Sequence, residues 1–210
     1  SGFWYNRFPG EGETGHEEQG TRSRVCWHKL GTPQSEDVVV YQDEKNIELG
    51  FAPITSHDGK YLVIYVYHGT DPKNGIYYRA QDGDGEFIRL IEHDIAMFNP
   101  VDNIETTLYM HTDLDAPKGR IVAIDLNNPA RDNWKEIIPQ KSEVIDGVSM
   151  VNDQLVVTHS KDAHHILTVF NLDGSVDHEV PLPTVGTVGG TSGNRRDKEM
   201  FYSFTSFTYP

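Results

Sequence analysis

The residues that could do chemistry are few and scattered. A serine nucleophile presented on a strand-to-helix elbow requires Gly-x-Ser-x-Gly, because the tight turn tolerates only small neighbours around the exposed side chain. The nearest run here is Gly190-Thr191-Ser192-Gly193-Asn194, which has glycine two before the serine but asparagine two after it. It sits between strand-like runs with no helical stretch behind it, so a turn is the better reading. His164-His165, with His111 and His159, offers imidazoles without His-Glu-x-x-His or any Cys/His spacing that would converge on a metal. Neighbours along a strand point to opposite faces, which makes surface or structural roles the expectation for these histidines. Asp82-x-Asp84-x-Glu86 resembles the start of a calcium loop but runs straight into an apolar strand, as a hairpin turn does. The glycines at 186, 189, 190 and 193 are not followed by a helix and make no phosphate cradle. Cys26 lies beside Trp27 in a strand-like run and reads as buried and inert. The sequence therefore predicts no catalytic residue, no metal and no cofactor.

Composition sets the outer limits. The 210 residues include 37% hydrophobic and 24% charged positions, the balance of a folded chain with a core of its own. With 18 basic and 32 acidic residues the formal charge is −14, and the one dense basic spot is Arg195-Arg196. That excludes nucleic-acid and anionic-membrane binding as expectations, since both need a concentrated basic face. No apolar run approaches the ~20 residues that cross a bilayer. One cysteine cannot close an internal disulfide, and no Asn-x-Ser/Thr site occurs, so a reducing, cytoplasmic compartment is expected, or a periplasmic one where the parent protein carries a signal peptide. The chain starts without a leader-like segment: Ser1-Gly2 leads directly into the aromatic run at 3–8, which reads as a strand already under way.

The elements that position these residues are strands. Short β-rich runs recur in groups of four, separated by Gly, Asp, Asn and Pro turns. The clearest group is 51–56, 61–68, 76–81 and 87–92; a second is 97–103, 107–113, 120–126 and 134–139; a third is 144–151, 155–161, 165–172 and 177–183. The second runs start at 61, 107, 155 and 200, spaced by 46, 48 and 45 residues. Runs 2–8, 26–30 and 38–43 supply the last three strands of a preceding group, and 185–190 with 200–207 open another. No stretch has a convincing helical period. A β-sandwich shares the short strands and Asp-Gly turns, but a period near 45 residues favours a β-propeller. The expected fold is all-β: three complete four-stranded blades (about 50–93, 94–140 and 141–184) between two partial ones (about 1–49 and 185–210). Residues 9–21 form an acidic, Gly-rich insertion. Tyr61, Tyr65, Tyr67, Tyr77, Tyr78, Phe201, Phe204 and Phe207 are expected to pack between blades.

Four stretches carry a more specific likeness: Gly31-Thr32-Pro33-Gln34-Ser35-Glu36-Asp37, Asp58-Gly59-Lys60-Tyr61-Leu62, Gly69-Thr70-Asp71-Pro72-Lys73-Asn74 and Phe201-Tyr202-Ser203-Phe204-Thr205-Ser206-Phe207. In order and spacing the chain resembles the β-propeller of the prolyl oligopeptidase family along its whole length. The resemblance implies a serine peptidase cleaving short peptides after proline, its propeller covering an α/β-hydrolase domain and restricting substrate size. The catalytic Ser, Asp and His would lie in that hydrolase domain, which is absent from residues 1–210. It implies as partners that domain and short proline-containing peptides. It also implies that the aromatic pair Trp4 and Tyr5 faces the chamber near the substrate. The alternative is a free-standing propeller used as a binding scaffold, with acidic loops such as 11–19 as contact surfaces. A propeller with its own catalytic groups in its channel is a third reading.

Overall fold

The computed structural model describes residues 1–10, 20–83 and 85–208. The insertion expected at 9–21 and the Asp84 of the calcium-like run thus fall, wholly or largely, outside the described residues. Seventeen strands and two single 3-10 turns, at Gln34–Glu36 and Arg131–Asn133, make up the described secondary structure. The chain divides into two compact units, Ser1–Phe98 and Asn99–Pro210.

The first unit holds a three-stranded sheet of β1 (Gly2–Arg7), β2 (Arg24–Lys29) and β3 (Val38–Gln42), in that order. Beside it is a four-stranded sheet of β4 (Leu49–Thr55), β5 (Tyr61–His68), β6 (Asn74–Ala80) and β7 (Ile88–Ile91). Every pairing is antiparallel between neighbours in sequence. Turn chemistry sets the connections. In the β4–β5 turn Asp58 accepts from the Lys60 N–H and from the Ser56 hydroxyl, while Gly59 takes the positive φ of 72°. At the start of β6 the wholly buried Asn74 side chain acts like a strand partner. Its Nδ2 donates to the Phe98 carbonyl at 2.8 Å and its Oδ1 accepts from the Phe98 N–H at 2.7 Å. A buried amide must be satisfied on both sides, which explains why the Asp71-Pro72-Lys73-Asn74 run has asparagine at that position. Between the sheets lie Val25, Leu49, Phe51, Ile64, Val66 and Tyr77.

The second unit holds β8 (Phe98–Ile104), β9 (Thr107–Thr112), β10 (Arg120–Asp125) and β11 (Lys135–Ile138) as one sheet. A second sheet comprises β12 (Val144–Val151), β13 (Gln154–Lys161), β14 (His164–Phe170) and β15 (Val176–Val180). A hairpin of β16 (Thr187–Ser192) and β17 (Phe201–Thr205) follows. Strand alternation loads both faces of the β12–β15 sheet. Leu155, Val157 and Phe170 join Tyr109, Ile121, Ala123 and Ile138 on one side. Val156, Leu167 and Val169 join Val151 on the other, against Met200 and Tyr202. A strand buried on both faces reads as a continuous apolar run, and Leu155-Val156-Val157 is one.

Strand order and number agree with the grouping read from sequence, with no end moved by more than three residues. One expectation is corrected. Tyr77 and Tyr78 are buried, but Phe201 is 72% exposed and Phe207 is fully exposed. The β17 strand alternates, so Met200 and Tyr202 take the face turned to Val169 and leave Phe201 on the other, where no described strand covers it. Phe170→Ala should therefore lower the unfolding free energy by about 3–5 kcal/mol, the range for emptying a filled aromatic site. Phe201→Ser should stay within about 0.5 kcal/mol of wild type. Urea unfolding of the two variants checks the contrast.

Candidate functional site

Trp4 and Tyr5 are consecutive on β1 and their side chains leave opposite faces. On one face Tyr5 lies across from Cys26, and Phe3 across from His28. The Tyr5 hydroxyl donates to Asp37 Oδ2 at 2.5 Å, His28 Nδ1 lies 2.7 Å from Asp37 Oδ1, and Gln34 Nε2 donates to the Tyr5 hydroxyl at 3.2 Å. The Asp37 side chain is 3% exposed. A 3-10 turn at Gln34–Glu36, closed by the Asp37 N–H on the Gln34 carbonyl, delivers the carboxylate to this point. The Gly31-to-Asp37 run thus acts as an anchor that ties a loop across β1 and β2. Its electrostatics oppose catalysis. The hydrogen bond from Tyr5 holds the Asp37 carboxyl below its usual range, and the same bond, with burial, raises the Tyr5 phenol. The proton stays on tyrosine near neutrality, and burial raises the Cys26 thiol as well, so neither is an activated nucleophile.

On the other face Trp4 packs against Trp27, the ring centroids 4.4 Å apart and the planes inclined at 50°. The Arg79 guanidinium carbon lies 5.9 Å from the Trp4 ring and 4.8 Å from the Phe87 ring. Phe87 meets Tyr41 at 5.3 Å, and Tyr41 meets Phe51 at 5.0 Å and Tyr77 at 5.8 Å. Arg89 lies 5.1 Å from the Tyr77 ring and pairs with Asp43 at 3.4 Å. Burial pushes the Tyr77 phenol up to about 12. Trp4 is therefore part of the packing between the β1–β3 and β4–β7 sheets, a layer of rings and guanidinium groups.

The remaining candidates are structural. Ser192 ends β16 opposite Phe201, and the chain returns through residues 193–200 to β17 without a helix, so the elbow geometry is missing. The Thr191 hydroxyl is occupied with Ser149 at 2.8 Å. His165 accepts the Val188 N–H at Nδ1 and faces Asp146 with Nε2 at 3.1 Å, a bracket between β14 and β16. Among the described residues no three His, Cys, Asp or Glu side chains are grouped to hold a metal. His111 and His159 are buried on β9 and β13. The Nε2 atom of each is enclosed without a hydrogen-bond partner. Gly119, at φ +87°, leaves the space that the His111 ring fills.

The chain matches the family "Prolyl oligopeptidase, N-terminal beta-propeller domain" over residues 1–210. It is 31% identical to the prolyl endopeptidase of Elizabethkingia miricola over 189 residues, which is 90% of this chain and 26% of that protein. It is 29% identical to the prolyl endopeptidase of Elizabethkingia meningoseptica over 211 residues, all of this chain and 30% of that one. A solved structure from a study of two prolyl endopeptidases superimposes with a TM-score of 0.90 at 31% identity, covering 99% of this chain and 30% of that chain. Prolyl oligopeptidase B from Galerina marginata, bound to a 25mer macrocyclization substrate, does so at 0.88 and 25% identity, covering 98% and 29%. The chain belongs to the N-terminal β-propeller family of the prolyl oligopeptidases. Its all-β set of antiparallel sheets matches the propeller domain of those enzymes, and it spans under a third of the length of the relatives it matches.

The buried histidines generate a prediction. Burial depresses the proton affinity of both His111 and His159 below the ordinary 6.5, offset in part by Asp113 for the first and Glu143 for the second, while Lys141 adds to the depression of His159. A depressed folded value means that the unfolded chain takes up protons first as pH falls. The destabilisation is absent well above pH 6.5, grows below it, and is complete once pH passes below the folded values. Urea unfolding between pH 7.5 and 5 should show a smaller acid loss in the His111→Leu/His159→Leu double variant than in wild type. Equal slopes would contradict it.

Proposed function

We propose that this chain is the non-catalytic covering segment of a post-proline serine endopeptidase, limiting access to short peptides while an α/β-hydrolase domain elsewhere in the same protein does the chemistry. The observation that carries the reading is the match of all 210 residues to the N-terminal propeller of the prolyl oligopeptidases. Two features of the fold support it. Ser192, the serine nearest to the nucleophile motif, ends β16 with no helix behind it, and Asp37 and Asp58 are spent on an anchor and a turn.

In this reading the three four-stranded sheets are complete blades, at about 50–93, 94–140 and 141–184. The β1–β3 sheet and the β16–β17 hairpin are parts of two more, at about 1–49 and 185–210. Trp4 and Tyr5 are the residues proposed nearest the peptide. They leave opposite faces of β1, Tyr5 bonded to Asp37 and Trp4 packed on Trp27 and near Arg79. A reducing, cytoplasmic setting accompanies the reading, in keeping with one buried cysteine.

The test compares this chain with the full-length protein that contains it, on a chromogenic peptide ending in Gly-Pro. Hydrolysis by the full-length protein and none by residues 1–210 is expected. Hydrolysis by the 210-residue chain, or silence of the full-length protein, would contradict the proposal.

A further inference from the structure

Of the eleven asparagines in the chain, only Asn74 is followed by glycine. In an unfolded chain that pair loses ammonia readily, because a residue without a side chain leaves its backbone nitrogen free to reach the asparagine carboxamide. Asn-Gly ordinarily marks a two-residue hairpin turn. Here it opens β6, an interior strand of the β4–β7 sheet, and both residues are buried.

Each half of the pair is fixed by a different neighbour. The Asn74 carboxamide spans the Phe98 backbone, donating from Nδ2 at 2.8 Å and accepting at Oδ1 at 2.7 Å. Its own N–H donates to the Ala96 carbonyl at 3.1 Å. A carboxamide offers a donor and an acceptor side by side, which the carboxylate of the same shape does not. Gly75 is required by close approach. A Cβ there would lie 2.9 Å from the Ile91 carbonyl oxygen and 3.2 Å from the His93 nitrogen and Cα, all of them backbone atoms. The packing of the first unit therefore demands a labile pair where no turn calls for one.

The same contacts keep the pair silent. Ring closure needs Asn74 Cγ to swing onto the Gly75 nitrogen, which breaks both bonds to Phe98 and turns Asn74 out of the extended strand conformation. Local opening of β6 removes that restraint. The Gly75 nitrogen then bonds to Cγ, the Cγ–Nδ2 bond breaks, and Nδ2 leaves as ammonia with the proton of the Gly75 amide. Water opens the resulting succinimide. Cutting the new Cγ–N bond gives aspartate, and cutting the original peptide bond gives isoaspartate.

Neither product restores the bracket. Aspartate puts an oxygen where Nδ2 donated, facing the Phe98 carbonyl, and an unpaired charge where the side chain is wholly buried. Isoaspartate adds a carbon to the main chain and throws β6 out of register with β5 and β7.

We infer that Asn74-Gly75 is a latent deamidation site, silent while β6 is paired and converted when it opens, and that conversion bars the chain from refolding. The inference rests on the fold of the first unit and not on the covering role proposed above.

The test ages the full-length protein that contains this chain at mildly alkaline pH, with and without unfolding guanidinium chloride, and cuts it after glutamate. The fragment 49–86 holds Asn74 as its one asparagine. Mass spectrometry of that fragment should show amide-to-acid conversion at residue 74 in guanidinium, and a rate lower by about tenfold or more without it. On dilution from guanidinium the converted fragment should gather in the aggregated protein and be depleted from the soluble, refolded fraction. Gly75→Ala should slow conversion in guanidinium, a reading that needs no folded variant. Equal rates with and without guanidinium, no conversion in guanidinium, an unchanged rate in Gly75→Ala, or converted chains in full proportion in the soluble fraction would each overturn the assignment.

Discussion

A small antiparallel sheet has an apolar face that it cannot bury by itself, and each sheet of this chain depends on a neighbour to cover that face. In the first unit the cover is a layer of rings and guanidinium groups running from Trp27 and Trp4 through Arg79, Phe87 and Tyr41 to Phe51 and Tyr77. Aromatic pairs contribute ~0.5–1.5 kcal/mol each beyond the area they bury, and cation–π contacts a similar amount. Several such contacts together are comparable with the ~5–15 kcal/mol by which a whole domain is stable. Exposed ion pairs such as Arg131–Asp115 contribute less, because water screens them. Ring packing between sheets therefore dominates, and it fixes where Trp4 can point.

The same constraint leaves the polar residues with structural duties. Asp58 closes a turn, Asn74 mimics a strand, Asp37 fastens a loop, and His165 brackets β14 to β16. Each is held by partners that satisfy it, and the clearest pKa shifts around Tyr5, Asp37 and Cys26 move these groups away from reactivity near neutral pH. A wall built this way suits the covering role proposed for it, since its surfaces can restrict passage without attacking a passing peptide.

Much of the fold was legible in the sequence because it is local. Asp-Gly turns and alternating apolar residues lie within a few positions of one another, and the spacing near 45 residues repeats them. The motif at Gly31–Asp37 was legible as a likeness, but its duty was not, since Asp37 meets Tyr5 from 32 residues away. What the sequence left open was non-local. Period-two alternation along β1 is enough to show that Trp4 and Tyr5 diverge, but which of them faces the neighbouring sheet depends on which sheet stands beside β1. Phe201 was misplaced for the same reason. Burial of His111 and His159 had a faint signal in their apolar neighbours, Tyr109-Met110 and Val156-Val157.

The claim at the centre of this account is that residues 1–210 cover a reaction they do not perform. Labelling the full-length protein with a fluorophosphonate, which marks an activated serine, and locating the adduct by peptide mass spectrometry tests it most directly. The account predicts a single labelled serine outside residues 1–210. An adduct within them, on Ser192 above all, would contradict it.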